Sequence, residues 1–279
     1  MSKKKKCRAI WISDVHLGTK DCKAALLCSF LKHYQTDNLF LVGDIIDGWR
    51  ISTSKWYWPS EHNQVVRQIL RKSEKEDTRV FYITGNHDEF LRDYISEHSF
   101  IMGNIEVVDE IYYETSAGEK VWVVHGDDYD GVTRHHRWVA IAGDVGYNFL
   151  LRANRWFNTM SRLLRLPYWS LSKAIKKKVK GAVNFIFDFE IIVAREAKKR
   201  KVDSVICGHI HHAEKKIIDG VNYYNCGDWV ESCTALIEDE NGEIQIIHWA
   251  ELNHENSNVI KIEQAKEPKY ARQQKVKVV

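Results

Sequence analysis

Five short polar motifs, each at the end of an apolar β-type run, constrain this chain more than any other feature. They are Asp14-x-His16, Gly43-Asp44-x-x-Asp47, Gly85-Asn86-His87-Asp88, His125-Gly126-Asp127 and Gly208-His209-x-His211. The runs ahead of them cover 8–13, 39–42, 80–84, 121–124 and 204–207. Helical periodicity fills 22–34, 61–75 and the stretch near 88–97. Strands alternating with helices build βαβ units and a largely parallel sheet. Open α/β sheets gather ligands at the carboxyl ends of their strands. The five motifs are therefore expected to converge, although 195 positions separate Asp14 from His209. From Ile105 on, strands follow one another without helices at 106–110 and 111–115, and again at 213–218, 221–225, 234–238 and 244–249. Ala117-Gly118, Asp219-Gly220 and Asn241-Gly242 mark turns between them.

Each motif alone has an ordinary reading as a strand exit, a turn or a helix cap. Gly208-His209-x-His211 says more, because alternate residues of an extended segment share a face. His209 and His211 can then project together, and His212 points away and is no ligand. Five motifs in one order, each behind a strand, point to one centre. Its side chains are Asp14, His16, Asp44, Asn86, His125, His209 and His211. This mix of oxygen and nitrogen donors, with no thiolate, suits Mn²⁺, Fe or Zn²⁺ better than Ca²⁺. A carboxylate such as Asp44 can bridge two cations about 3.5–4 Å apart, the arrangement of two-metal phosphate-ester hydrolases.

Composition narrows the setting. The 279 residues are 44% hydrophobic, enough for a sizeable core. The six cysteines form no C-x-x-C pair, so reduced thiols in a cytoplasmic protein are expected. No apolar stretch reaches the roughly 18 residues of a membrane span. The short run after the N-terminal lysines ends in Ser13-Asp14 and reads as a buried strand, not a signal peptide. The net charge of +3 conceals an asymmetry: residues 129–201 hold 16 Lys/Arg against 5 Asp/Glu, a net of +11, and leave −8 on the rest. That segment also carries Trp138, Trp156, Tyr168 and Trp169 beside Arg162, Arg165 and Lys176-Lys177-Lys178. Its apolar residues recur at helical spacing, Pro167 divides two pieces, and a last helix is expected at 183–200. His135 and His136 read as solvated loop residues. A basic aromatic lid of this kind can rest on a membrane surface or track a nucleic-acid backbone. The polar tail, 251–279, is expected to be disordered.

The five blocks resemble the calcineurin-like metallophosphoesterase superfamily, over residues 8 to about 249 apart from the basic insertion. That resemblance implies an α/β fold, a four-layer αββα sandwich with a core at 7–128 and 202–250 and a helical insertion at 129–201. It implies two divalent ions, Mn²⁺ foremost: one on Asp14, His16, Asp44 and His211, the other on Asp44, Asn86, His125 and His209. Within the superfamily the chain is most similar to the UDP-2,3-diacylglucosamine pyrophosphatase group. The residues concerned are Ser13-Asp14-Val15-His16-Leu17, Gly43-Asp44-Ile45-Ile46-Asp47-Gly48-Trp49, Gly85-Asn86-His87-Asp88-Glu89-Phe90 and His125-Gly126-Asp127. His87 stands where well-known members of that group carry arginine. The likeness implies hydrolysis of UDP-2,3-diacylglucosamine to a lipid monophosphate and UMP, in the cytoplasm or at the inner face of the membrane. The alternatives are another phosphodiesterase or nuclease of the superfamily, or an interaction module without catalysis, which ligand loss would mark; none of the seven is lost. Asn86 and His87 are expected to meet the phosphate, with His87 stabilising charge or protonating the leaving group. Asp88 is expected either to orient an imidazole or to cap the helix after it, and Asp47 to support the site or its turn.

Overall fold

The computed structural model describes residues 4–51, 57–95, 100–102, 104–130 and 171–252. The expectations for His135, His136, Trp138, Trp156, Pro167, Tyr168, Trp169 and the tail from 253 fall outside these residues. Among the described residues, twelve strands form two sheets. The first contains β1 (Lys5–Ile12), β2 (Tyr34–Val42), β3 (Arg79–Ile83), β4 (Phe100–Met102), β5 (Ile105–Val108), β11 (Thr234–Glu238) and β12 (Ile244–His248), in the order β12-β11-β1-β2-β3-β5-β4. The second contains β6 (Glu110–Glu114), β7 (Lys120–Val124), β8 (Ser204–Cys207), β9 (Glu214–Ile218) and β10 (Val221–Asn225), in the order β6-β7-β8-β10-β9. The α-helices among the described residues are α1 (Ala24–His33), the single turn α2 (Gly48–Ile51), α3 (Ser60–Lys75) and α4 (Leu171–Lys199).

The period of two along each strand sorts its side chains between separate cores. On β1, Ile10 and Ile12 join a core with Leu27, Phe30 and Leu31 of α1 and Val65 and Ile69 of α3. Ala9 and Trp11 face the other way, into a core between the sheets shared with Phe40, Phe81, Val121, Val123 and Ile206. On β7, Trp122 and Val124 turn outwards to a third core under Phe189, Val193 and Ala197 of α4. Three cores between four layers make the αββα sandwich. Strands β1, β2, β3 and β5 run parallel, as do β7, β8 and β10. The exits of β1, β2, β3, β7 and β8 carry the five motifs.

Several element boundaries differ from the sequence reading. The last helix begins at Leu171 rather than 183. The helix expected near 88–97 is a 3-10 segment, Glu89–Tyr94. The expected strand at 106–110 is two pieces, β5 in the first sheet and β6 starting at Glu110 in the second. The chain changes sheets at Asp109, which hydrophobic alternation does not register. No helix among the described residues is long and apolar enough to cross a membrane.

Candidate metal centre

The site grows from the strand exits. After β1, Asp14 N–H donates to the carbonyl of Gly43 (3.1 Å) and the N–H groups of Val15 and His16 donate to that of Asp44 (3.0 and 2.9 Å). The first two motifs are thereby laced together. Asp14 (φ 51°), His16 (52°), Asp44 (54°), His209 (71°) and His211 (53°) all sit in the left-handed region. Non-glycine residues hold that conformation at a cost of about 1–3 kcal/mol each, and it clusters where function over-determines the backbone. Five expected ligands share it. Two glycines are fixed by close approach: a Cβ on Gly43 (φ 74°) would lie 2.3 Å from the His125 ring, and one on Gly208 2.6 Å from Asp14 Oδ2.

The side chains converge. Asp44 Oδ2 lies 3.5 Å from His125 Nε2 and 3.9 Å from Nε2 of both His16 and His87. Asp14 Oδ1 lies 3.2 Å from His211 Nε2, which is itself 3.3 Å from His16 Nε2. Three sets of potential metal-binding atoms lie within 4.8 Å of one another: Asp14–His16–His211, His16–Asp44–His87 and Asp14–Asp44–His125. His209 belongs to none of them; its Nε2 is 3.0 Å from Asp130 Oδ2. Its backbone N–H donates to Asp14 Oδ2 at 3.0 Å, so it still borders the same cleft. His212 turns out to Glu214, 3.8 Å away.

Two buried atoms test whether this donor set fits cations. Among the described residues, Asn86 Oδ1 and His125 Nε2 find no hydrogen-bond partner. The Nδ1 of His125 donates to the carbonyl of Val42 at 2.9 Å, which turns Nε2 towards Asp44 as the nitrogen a cation would take on displacing its proton. Orphaned polar atoms of this kind are costly unless something binds them. The fully buried Asp14 and nearly buried Asp44 also hold two carboxylates in one cavity. Burial by itself would raise their pKa values. The surrounding imidazoles outweigh it, holding Asp14 down to about 2 and Asp44 well below the usual carboxylate range. In turn, burial lowers the enclosed His125 and crowding by neighbouring atoms lowers His211, whose side chain is 40% exposed, but the carboxylates win: His125 rises well above the imidazole range and His211 to about 9. Ionised carboxylates, imidazoles and an unpaired amide oxygen fit divalent cations.

The supporting carboxylates differ from expectation. Asp88 orients no imidazole: its carboxylate accepts from the N–H groups of Gly85 and Ile45 (2.5 and 2.9 Å) and from Tyr82 Oη (2.7 Å). It sits ahead of the 3-10 segment, yet makes no side-chain cap there. Asp88 is a buried pin joining the second motif to the third. The carboxylate that faces imidazoles is Asp47, with Oδ2 3.3 Å from His87 Nδ1 and 3.6 Å from His16 Nδ1, ion-pair distances without hydrogen-bond geometry at His87. Burial pushes the Asp47 carboxyl up, and the two imidazoles more than reverse this, keeping it ionised. Trp49 lies tilted over His87, ring centroids 3.8 Å apart. Arg92 grips Asp127 with two parallel bonds, 2.9 and 3.0 Å, and donates to Thr84 Oγ1 at 3.1 Å, clamping the third motif to the fourth. Asp130 has no signature in the sequence that separates it from structural residues; Asp47 does, as the last position of Gly-Asp-x-x-Asp, and Trp49 closes the block that carries the resemblance to the pyrophosphatase group.

The profile of the calcineurin-like phosphoesterase family matches residues 7–213, a span containing all five motifs. The chain belongs to this family. Among solved structures, the chain is similar to a predicted phosphoesterase of Streptococcus pneumoniae (12% identity, TM-score 0.38, 88% of this chain and 90% of that one). An archaeal phosphodiesterase is similar at 16% identity and TM-score 0.39, over 86% of this chain and 98% of that one. Vps29 of Entamoeba histolytica, in complex with Zn²⁺, is similar at 12% identity and TM-score 0.36, over 86% and 98%. No curated protein sequence matches the chain.

Proposed function

We propose that the protein is a metal-dependent phosphoesterase acting on a phosphoanhydride, with UDP-2,3-diacylglucosamine as its substrate. The observation that carries the reaction class is the convergence of Asp14, His16, Asp44, His125 and His211 on one cleft containing orphaned polar atoms. Asp14, His16, Asp44 and His211 would hold one cation, and Asp44, Asn86, His125 and His209 the other. Such ions, when bound, polarise the phosphoryl oxygens and lower the pKa of water.

The remaining chemistry belongs to the chain itself. Asp47 faces Nδ1 of His87, so Nε2 is turned to the Asp44 side of the cleft, 3.9 Å from its carboxylate. A protonated Nε2 there can donate to the leaving oxygen of an in-line displacement. The Asp44 carboxylate also accepts the His87 N–H at 2.8 Å, which fixes the turn presenting Asn86 and His87. Trp49 covers one face of the His87 ring and limits its rotation.

The substrate assignment rests on the motif blocks shared with the UDP-2,3-diacylglucosamine pyrophosphatase group and on the +11 charge of 129–201. Those cations suit a diphosphate and an anionic membrane surface. Incubation of Mn²⁺-loaded protein with UDP-2,3-diacylglucosamine, bis-(p-nitrophenyl) phosphate and single-stranded DNA tests the reading. Release of UMP with the highest kcat/KM supports it. Faster cleavage of DNA or the simple diester assigns a phosphodiesterase instead. Bound metal without turnover of any substrate assigns an interaction module.

A further inference from the structure

His209 is held unlike any other residue of the centre. The segment leaving the core after β7 ends its described part at Asp130, whose side chain is buried and whose Oδ2 lies 3.0 Å from His209 Nε2. The segment is anchored, since Tyr129 packs edge-on against Trp122 (5.6 Å) and accepts a bond from Arg200 Nη2 at the end of α4 (3.3 Å). From the returning side, Phe189 of α4 lays its ring against that of His209, centroids 5.7 Å apart. A Cβ on Gly126 would meet the same Phe189 ring at 2.8 Å, so nothing larger than glycine fits between. Both flanks of the basic stretch therefore rest on this one imidazole.

A carboxylate taking one ring proton dictates which nitrogen keeps the lone pair. We propose that Asp130 is a positioning residue for His209: it accepts the Nε2 proton and presents Nδ1 to the cation, so that the flanks of the basic stretch set the affinity of one metal site. This rests on the metal-centre reading above. It assigns to the buried Asp130 a task that no motif marks. It also links Tyr129, Asp130 and Phe189 to the centre in both directions, because whatever moves these residues alters metal affinity, and metal binding holds them in place.

The test uses the full-length, metal-stripped protein titrated with Mn²⁺ alone, by calorimetry and by electron paramagnetic resonance of free Mn²⁺. Wild type is expected to take up two ions. Asp130→Ala should weaken one of the two sites about 10–100-fold and leave the other unchanged. Asp130→Asn should recover part of the loss, because its amide oxygen still accepts from Nε2–H. In a His209→Ala background, Asp130→Ala should change nothing further. Thermal melts establish that each variant is folded; if Asp130→Ala is not, the Asp130→Asn and His209→Ala pair carries the same comparison. Two Mn²⁺ ions bound by Asp130→Ala as tightly as by wild type overturn the proposal. So does equal weakening with and without His209. Wild type taking up no Mn²⁺ overturns the metal-centre reading and this proposal together.

Discussion

Asp44 is the carboxylate facing three imidazoles, at 3.5 to 3.9 Å. Replacing it with alanine is expected to strip metal from both sites and reduce turnover to background, read by metal analysis of the purified variant alongside its assay. His87→Ala should keep its metal and lose about 10²–10⁴-fold in kcat, the usual contribution of a general acid; near wild-type kcat would show that His87 transfers no proton. Gly43→Ala places a methyl group 2.3 Å from the His125 ring in a left-handed conformation, so it should fold poorly or lose metal. The carboxylates show what sequence does and does not reveal at this scale. Both Asp47 and Asp88 stand in recognisable motifs, but which one reaches an imidazole depends on how the turns are laced. Asp88 is consumed by Gly85, Ile45 and Tyr82, leaving Asp47 to His16 and His87.

Among the elements, α3 reaches the centre through a buried histidine. His62 Nδ1 accepts the N–H of Gly18 at 3.2 Å, two residues beyond His16, while Tyr57 and Trp58 pack edge-on to its ring. Burial lowers its pKa below 6.5, against a weaker opposite pull from Glu61. The unfolded chain then binds the proton more readily than the folded one. This contribution to stability is complete above about pH 6.5 and declines as pH falls towards the depressed folded value. Urea melts of the metal-free protein at pH 5 and 7.5 should differ, and His62→Asn, which offers an acceptor that does not titrate, should narrow the difference. An unchanged difference would place the pH dependence elsewhere. The α3 helix itself was legible as an amphipathic pattern. Its grip on the Gly18 loop was not, because a lone histidine on a helix carries no record of the loop it will meet.

At the scale of the whole molecule, the core between the sheets carries the site. Trp11 is fully buried there, stacked on Phe40 at 5.3 Å and edge-on to Tyr113 at 5.6 Å. Trp11→Ala should cost about 3–5 kcal/mol, measured by urea denaturation. It should also weaken metal binding, since Asp14 begins three residues later on the same chain segment. Arg92→Ala should act differently, loosening the Thr84 and Asp127 turns with a smaller loss of global stability, because its partners lie at one end of the sandwich.

The sequence by itself determined the strands, their apolar faces and the polar motifs at their ends. Alternation and turn chemistry are local, and a few residues are enough to express them. It also named the side chains expected as donors, because the chemistry of aspartate, asparagine and histidine is the same in any fold. Only the tertiary structure decided that β5 and β6 belong to different sheets, that Asp47 rather than Asp88 faces the imidazoles, and that Asp130 takes the Nε2 of His209. Those are choices between equivalent partners far apart in the chain. They are made by which layers pack together and by hydrogen-bond directions that exist only after packing.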